Sequence, residues 1–232
     1  MLEQELTRAL TAQTHEGYVY RVDLRLRAEG SVGQLTRSLD DYVKYYRTRG
    51  QVWERLALLK AWPIAGSQEV GKSFIKLVRP FVLAPSSKHL DVEQGLAIVE
   101  EVRSVKERID AKMAERGHEQ RNVKLGVGGI REIEFFVGAH QLISGGRMPE
   151  LRVQQTLVGL EVLRSLEIIS DEDQAELSDA YRFLRSVEHR LQMTRDEQTH
   201  KVPEKPEGVA AVAAFLGYAE TADFEADMLR HL

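Results

Sequence analysis

Tyr18-Val19-Tyr20-Arg21-Val22-Asp23-Leu24-Arg25-Leu26-Arg27 is the stretch on which the fold class turns. From residue 22 onward it alternates strictly, and a period of two places Val22, Leu24 and Leu26 on one face of a strand. Asp23, Arg25 and Arg27 fall on the other, and Gly30 and Gly33 mark a turn beyond. No comparable strand signal follows. A hairpin-sized piece of sheet is marginal alone, so helices are expected to cover it.

Downstream the apolar spacing is helical. Leu35, Leu39, Tyr42, Val43 and Tyr46 predict a helix to about Arg47, closed by Gly50. Trp53 to Ala61 is rich in helix formers and stops before Pro63, giving a second short helix and then an extended piece. Pro80 and Pro85 bracket an irregular stretch. Ile98, Val102, Val105, Ile109 and Met113 predict a helix of five or six turns, and Gly117 to Asn122 a polar loop. Helices are expected from Gly128-Gly129 to Gly145-Gly146, over 153–168, and over 171–195 after a capping-box start at Ser170. Lys201 to Gly208 reads as a linker, and the last twenty residues as helical.

The chain has 232 residues with 43% apolar and 29% charged content, ample for a buried core. It has no cysteine, which excludes disulfides, thiolate metal sites and a cysteine nucleophile. With 32 Lys and Arg against 36 Asp and Glu, bulk electrostatic binding of nucleic acid is not expected. No stretch approaches the roughly 20 apolar residues of a membrane span, and the N-terminus carries no secretory signal. A cytoplasmic protein without nucleic-acid or membrane partners is the expectation.

Three groups of residues could carry chemistry. On the strand, Asp23 beside Arg25 and Arg27 suits phosphate chemistry, a carboxylate for a hard cation and guanidiniums for phosphate oxygens. Taken alone, a solvated strand face with cross-strand ion pairs is the plainer reading of the same residues. Trp53-Glu54-Arg55 with Lys60 is explained by ordinary helix salt bridges. In Lys124-Leu125-Gly126-Val127-Gly128-Gly129-Ile130-Arg131-Glu132-Ile133-Glu134-Phe135, glycines at a helix entry could bring backbone N–H groups to an anion, with Lys124 and Arg131 adding charge. The Walker A and Rossmann spacings are absent. Arg131 and Glu134 share a helix face, whereas Glu132 and Glu134 do not. The seven histidines form no closely spaced metal pair.

Taken in order, these segments resemble the adenylyl-removing half of the bacterial glutamine synthetase adenylyltransferases, bifunctional enzymes of the nucleotidyltransferase superfamily. The resemblance is carried by Tyr20-Arg21-Val22-Asp23 with Arg25-Leu26-Arg27, Trp53-Glu54-Arg55 with Lys60-Ala61, and Lys124 to Phe135. Gln141-Leu142-Ile143 with Gly145-Gly146-Arg147, Tyr181 to Arg185, and Asp196 to Thr199 with Pro203 complete it. Leu24 and Arg131-Glu132 stand where the adenylylating half has threonine and Thr-Asp, which points to the removing half.

The resemblance implies an α+β fold that is predominantly α: a remnant of a polymerase-β-like nucleotidyltransferase sheet over residues 1–90, a helical domain over 91–202, and a linker and further helix over 203–232. It implies phosphorolysis of the adenylyl-tyrosine bond of glutamine synthetase, releasing ADP, with Mg²⁺ as cofactor. The implied partners are adenylylated glutamine synthetase, a PII-type signalling protein, and inorganic phosphate and ADP. Asp23 matches the third of three metal-holding carboxylates. Arg25, Arg27 and Lys60 are expected at the reacting phosphates, and Lys124, Gly128, Gly129, Arg131, Glu132 and Glu134 as a phosphate-binding group.

The departures are specific. The family's Asp-x-Asp pair lies upstream of the segment matching residue 18, and the seventeen residues before it contain no Asp. Ala28 stands where proline is usual, and Gly138 where glutamine is. An incomplete fragment is therefore expected, with a non-catalytic module that docks glutamine synthetase or a PII-type protein as the alternative.

Overall fold

The computed structural model describes residues 2–15, 17, 22–83, 92–114, 121–195 and 198–232, and the chain divides into two units, Met1–Leu83 and Ala84–Leu232. In the first unit four helices form: α1 (Leu2–Thr11), α2 (Leu39–Thr48), α3 (Val52–Leu59) and α4 (Gln68–Val82), with a 3₁₀ turn at Gly30–Val32. Helix α2 begins four residues later than its apolar spacing suggests because Ser38 caps it, its hydroxyl accepting the Asp41 N–H at 3.1 Å. An aromatic seam joins α2 to α4. Tyr42 meets Phe74 edge-on at 5.0 Å, and Tyr46 stacks on Phe81 at 4.7 Å. Gly50 follows the α2 cap because of that seam, since a Cβ there would stand 2.5 Å from the Phe81 ring.

Two expectations for this unit fail. Residues 22 and 23 have no regular structure and 24–27 form turns and bends; no strand occurs among the described residues, so the sheet remnant is not seen, and residues 18–21 lie outside them. The cause is local as well as topological. An extended segment needs a neighbour for its backbone groups, and here the Asp23 side chain supplies a turn instead, Oδ1 accepting the Arg25 N–H at 3.0 Å. The second failure is α4, which occupies 68–82 where an irregular stretch around Pro80 was expected. Pro80 removes one i→i−4 bond from the last part of α4, which continues through it with Val78 and Val82 buried, and the hydroxyl of Ser67 caps the start by accepting the Val70 N–H. Residues 84–87, the rest of that stretch, lie outside the described residues.

The second unit contains α5 (Val92–Ala114), α6 (Ile130–Ser144), α7 (Thr156–Ser165), α8 (Asp171–Arg195), α9 (Pro206–Phe215) and α10 (Thr221–His231), with a 3₁₀ turn at Pro149–Leu151. Helix α8 opens on a reciprocal cap: the Ser170 hydroxyl accepts the Asp173 N–H at 3.0 Å, and the Asp173 carboxylate accepts the Ser170 N–H at 3.2 Å. Its apolar stripe serves two clusters. Leu184, Val187 and Leu191 pack with Val123, Ile130, Val209, Val212 and Phe224, while Ala180 packs with Ile133, Val137, Leu160 and Leu163. Each such large side chain contributes about 1.5–3 kcal/mol by leaving water.

The segment expected as a linker is part of this core. Val202 is buried, its N–H donates to Arg121 O at 2.8 Å, and Val123 N–H donates to His200 O at 3.0 Å. Pro206 then starts α9 at a position where its missing N–H costs nothing. The polar loop expected over 117–122 lies outside the described residues except for Arg121 and Asn122.

Candidate functional site

The segment before α6 is built by its own carbonyls and one asparagine. Asn122 Oδ1 accepts the N–H groups of Lys124 at 3.0 Å and Leu125 at 2.8 Å, and Gly126 N–H returns to Asn122 O at 2.8 Å. Gly129 N–H donates to Gly126 O, Ile130 N–H to Val123 O, Arg131 N–H to Lys124 O and Glu132 N–H to Gly129 O, all between 2.9 and 3.0 Å. The donors that ordinarily lie open at a helix N-terminus are thus closed by the turn itself. Gly128 and Gly129 also meet a steric requirement of this turn. Gly128 has φ +73°, and a Cβ on it would collide with the Leu232 backbone. A Cβ on Gly129 would stand 2.8 to 3.0 Å from the carbonyls of Gly126, Lys124 and Val123.

The turn is held to α8 by Glu188, whose side chain is 2% exposed. Lys124 Nζ lies 3.1 Å from Oε1 and His200 Nδ1 2.9 Å from the same oxygen, while Arg185 Nη1 lies 2.5 Å from Oε2. Burial alone would raise this carboxyl's pKa. The contacts with His200, Lys124 and Arg185 overcome that and hold it down at about 2. One ionised carboxylate therefore ties together the turn, α8 and the 198–202 segment.

Around it, Arg131 lies 3.6 Å from Glu134 and over the Phe135 ring at 5.7 Å, the intrahelical arrangement that their spacing allows. Glu132 faces α5, where Lys106 Nζ lies 3.1 Å from it and also 3.1 Å from Asp110.

In the first unit the expected residues pair locally. Asp23 and Arg25 form a fork, Arg25 Nε 2.9 Å from Oδ1 and Nη2 2.6 Å from Oδ2. Arg27 donates to backbone carbonyls, to Gly33 O at 2.9 Å, Ser31 O at 2.8 Å, and Leu24 O. Lys60 caps the end of α3, its backbone N–H donating to Ala57 O at 3.1 Å. Glu54, which the sequence assigns to helix salt bridges, is instead buried and bonded to neutral donors: the Tyr45 hydroxyl at 3.0 Å from both oxygens and Gln51 N–H at 2.7 Å.

Mg²⁺ finds no match in these residues. Among the described residues no group of three His, Asp or Glu could hold a metal ion, and the one expected ligand, Asp23, has both oxygens engaged by Arg25. Nor, among the described residues, is any helix long and apolar enough to cross a membrane.

Glu188 and His200 were not among the residues singled out by spacing, yet Glu188 was visible. It sits four residues after Leu184 and three before Leu191, a charge on the buried stripe of α8. His200 offers no such signal, because only the tertiary fold brings its loop to α8.

Residues 100–232, more than half of the chain, match the family model described as GlnD PII-uridylyltransferase, and residues 1–77 match the model described as glutamate-ammonia ligase adenylyltransferase. The chain belongs to the family of bifunctional glutamine synthetase adenylyltransferase/adenylyl-removing enzymes. It is 46% identical to such an enzyme of Bradyrhizobium diazoefficiens over 99% of this chain, 44% identical to that of Rhizobium meliloti over 100%, and 46% identical to that of Brucella melitensis over 96%. It spans only 22–23% of the length of these relatives.

Proposed function

We propose that this chain is part of the adenylyl-removing half of such an enzyme, acting on adenylylated glutamine synthetase by phosphorolysis. A phosphate oxygen attacks the adenylyl phosphorus, a new P–O–P bond forms ADP, and the bond to the tyrosine oxygen breaks, the phenolate taking up a proton. The observation that carries this reading is Gly128-Gly129-Ile130-Arg131-Glu132-Ile133-Glu134-Phe135 at the entry to α6, in a chain collinear over nearly its whole length with the bifunctional relatives. The contribution of the second unit is a rigid body that fixes Lys124, Arg131 and Glu134 through the closed turn and Glu188. Mg²⁺, inorganic phosphate and a PII-type regulator belong to the same reading.

The test is ADP release from adenylylated glutamine synthetase with phosphate and Mg²⁺, comparing the 232-residue chain with a protein extended upstream by the corresponding Bradyrhizobium sequence. Activity in the extended protein alone is the expected result. Failure of both would favour a second reading, a module that docks glutamine synthetase or a PII-type protein. The pairing of Asp23 with Arg25 and of Arg27 with backbone carbonyls is the observation that favours it.

A further inference from the structure

Lys124 and Arg185 approach Glu188 from different sides, one at each carboxylate oxygen. An ammonium carries three donors and a guanidinium five, yet among the described residues each of these groups makes one hydrogen bond, and both go to Glu188. The anion is sealed at 2% exposure while the cations reach solvent, Lys124 at 24% and Arg185 at 35%. Two positive charges meet one negative, so at least one positive charge is left over at the surface. Glu134, the other carboxylate that acts on Tyr181 beside Glu188, has Arg131 at 3.6 Å. His200, on the same Glu188 oxygen as Lys124, adds charge when protonated.

We propose that Lys124 and Arg185 form a two-cation site for a phosphoryl oxyanion, and that buried Glu188 is the positioning residue that aims them. The chemistry suits the group: tetrahedral phosphate presents several oxygens, and Arg and Lys together supply a planar fork and a point charge. Glu188 costs the site one unit of attraction and in return restricts two long side chains whose conformational freedom would otherwise be lost on binding. The inference deepens the reading above and rests on it for the choice of phosphate. Two sources share this chemistry, free inorganic phosphate and the phosphate of an adenylyl group.

Binding is measured on the 232-residue chain itself, by calorimetry and by nitrogen-correlated NMR, titrating inorganic phosphate at ionic strength held constant with chloride. Saturable binding is expected, with shifts confined to the Arg185 Nε–H and the 122–131 amides. Lys124→Met and Arg185→Met should each weaken it about tenfold or more, the scale of one charge-assisted hydrogen bond. Arg182→Met, on the same helix, should leave it unchanged. Glu188→Gln separates aiming from charge: weaker binding supports the proposal, and tighter binding overturns the positioning role. AMP that competes with phosphate assigns the site to the adenylyl phosphate as well, whereas AMP without effect restricts it to the free ion; either outcome supports the site.

A phosphate response no larger than that of chloride overturns the proposal, as does binding that survives both Met variants. Should Glu188→Gln fail to fold, the wild-type NMR shifts and the charge-keeping variants Lys124→Arg and Arg185→Lys, which should retain binding, decide it. Because glutamine synthetase is absent from the measurement, phosphate binding and ADP release can fail independently.

Discussion

Among the described residues each unit buries one glutamate, and the two do so in opposite ways. Glu54 in the first unit has no cationic partner among the described hydrogen bonds; it is held by the Tyr45 hydroxyl and Gln51 N–H, and burial raises its pKa above the usual carboxylate value. Glu188 in the second is as deeply buried but faces His200, Lys124 and Arg185, and its pKa is held at about 2. The charged form of the same side chain is thus disfavoured in one place and favoured in the other. Burial does not decide the outcome; the charge of the donors does.

The sharpest way to break this contrast is Glu188→Ala. Removing one partner from a buried ion cluster costs about 3–5 kcal/mol, and the partial exposure of Lys124 and Arg185 places this case near the lower end. Urea unfolding should show that loss, with local exchange rising in the amides of Val123, Ile130 and Arg131. A loss under 1 kcal/mol would mean the cluster holds nothing together.

Acid sharpens the contrast without mutation. The native Glu188 carboxyl binds its proton near pH 2, well below the ordinary glutamate value of 4.5, so the unfolded state takes up protons first. Stability from Glu188 is complete above about pH 4.5 and is lost as pH falls toward 2, roughly 3 kcal/mol in all. Glu188→Gln should flatten that part of the profile, and an unchanged slope would remove Glu188 as its cause. Glu54 has the reverse sign. Its raised pKa makes its contribution greatest at low pH and smaller as pH rises through that value.

Gly129→Ala probes the turn that Glu188 holds. Its Cβ would press on three backbone carbonyls that cannot move without breaking the turn, at a cost of about 1–3 kcal/mol. Gly50→Ala in the first unit meets the Phe81 side chain, which can shift, and should cost less in a matched thermal melt. Equal losses would mean that the turn yields as easily as a side chain.

How much of this was legible depends on which forces were local. Helices α6 and α8, and α5 over its described length, followed their apolar spacing and caps, because Ser170, Gly129 and the stripes act within a few residues. The strand at 22–27 failed because alternation describes what a neighbour would see, and no such neighbour occurs among the described residues. Pro80 misled for a related reason: the burial of Val78 and Val82 on either side of it is tertiary, and it carries the helix past one missing i→i−4 bond. At the site, Lys124 and the glycines were found by composition, but the pairing of the helix's first donors with the turn's own carbonyls is a property of the folded turn that spacing does not encode. His200 came from 76 residues downstream of Lys124 through contacts that no spacing encodes.

The smallest effect belongs to Glu54→Gln, and its sign is what matters. Glutamine keeps an acceptor for the Tyr45 hydroxyl and Gln51 N–H while removing a buried charge that has no counter-ion among its described bonds. Its own amide must then find an acceptor, which offsets part of the gain. The net change at pH 7 should lie within about 1 kcal/mol of zero, against a loss of several times that for the same substitution at Glu188. Acidification should then move the two variants apart in opposite senses, Glu54→Gln becoming less stable relative to wild type and Glu188→Gln becoming more stable relative to it. Parallel urea titrations at pH 7 and pH 4 read both signs. If both variants respond to acid alike, the donors' charge is not what distinguishes the two buried carboxylates.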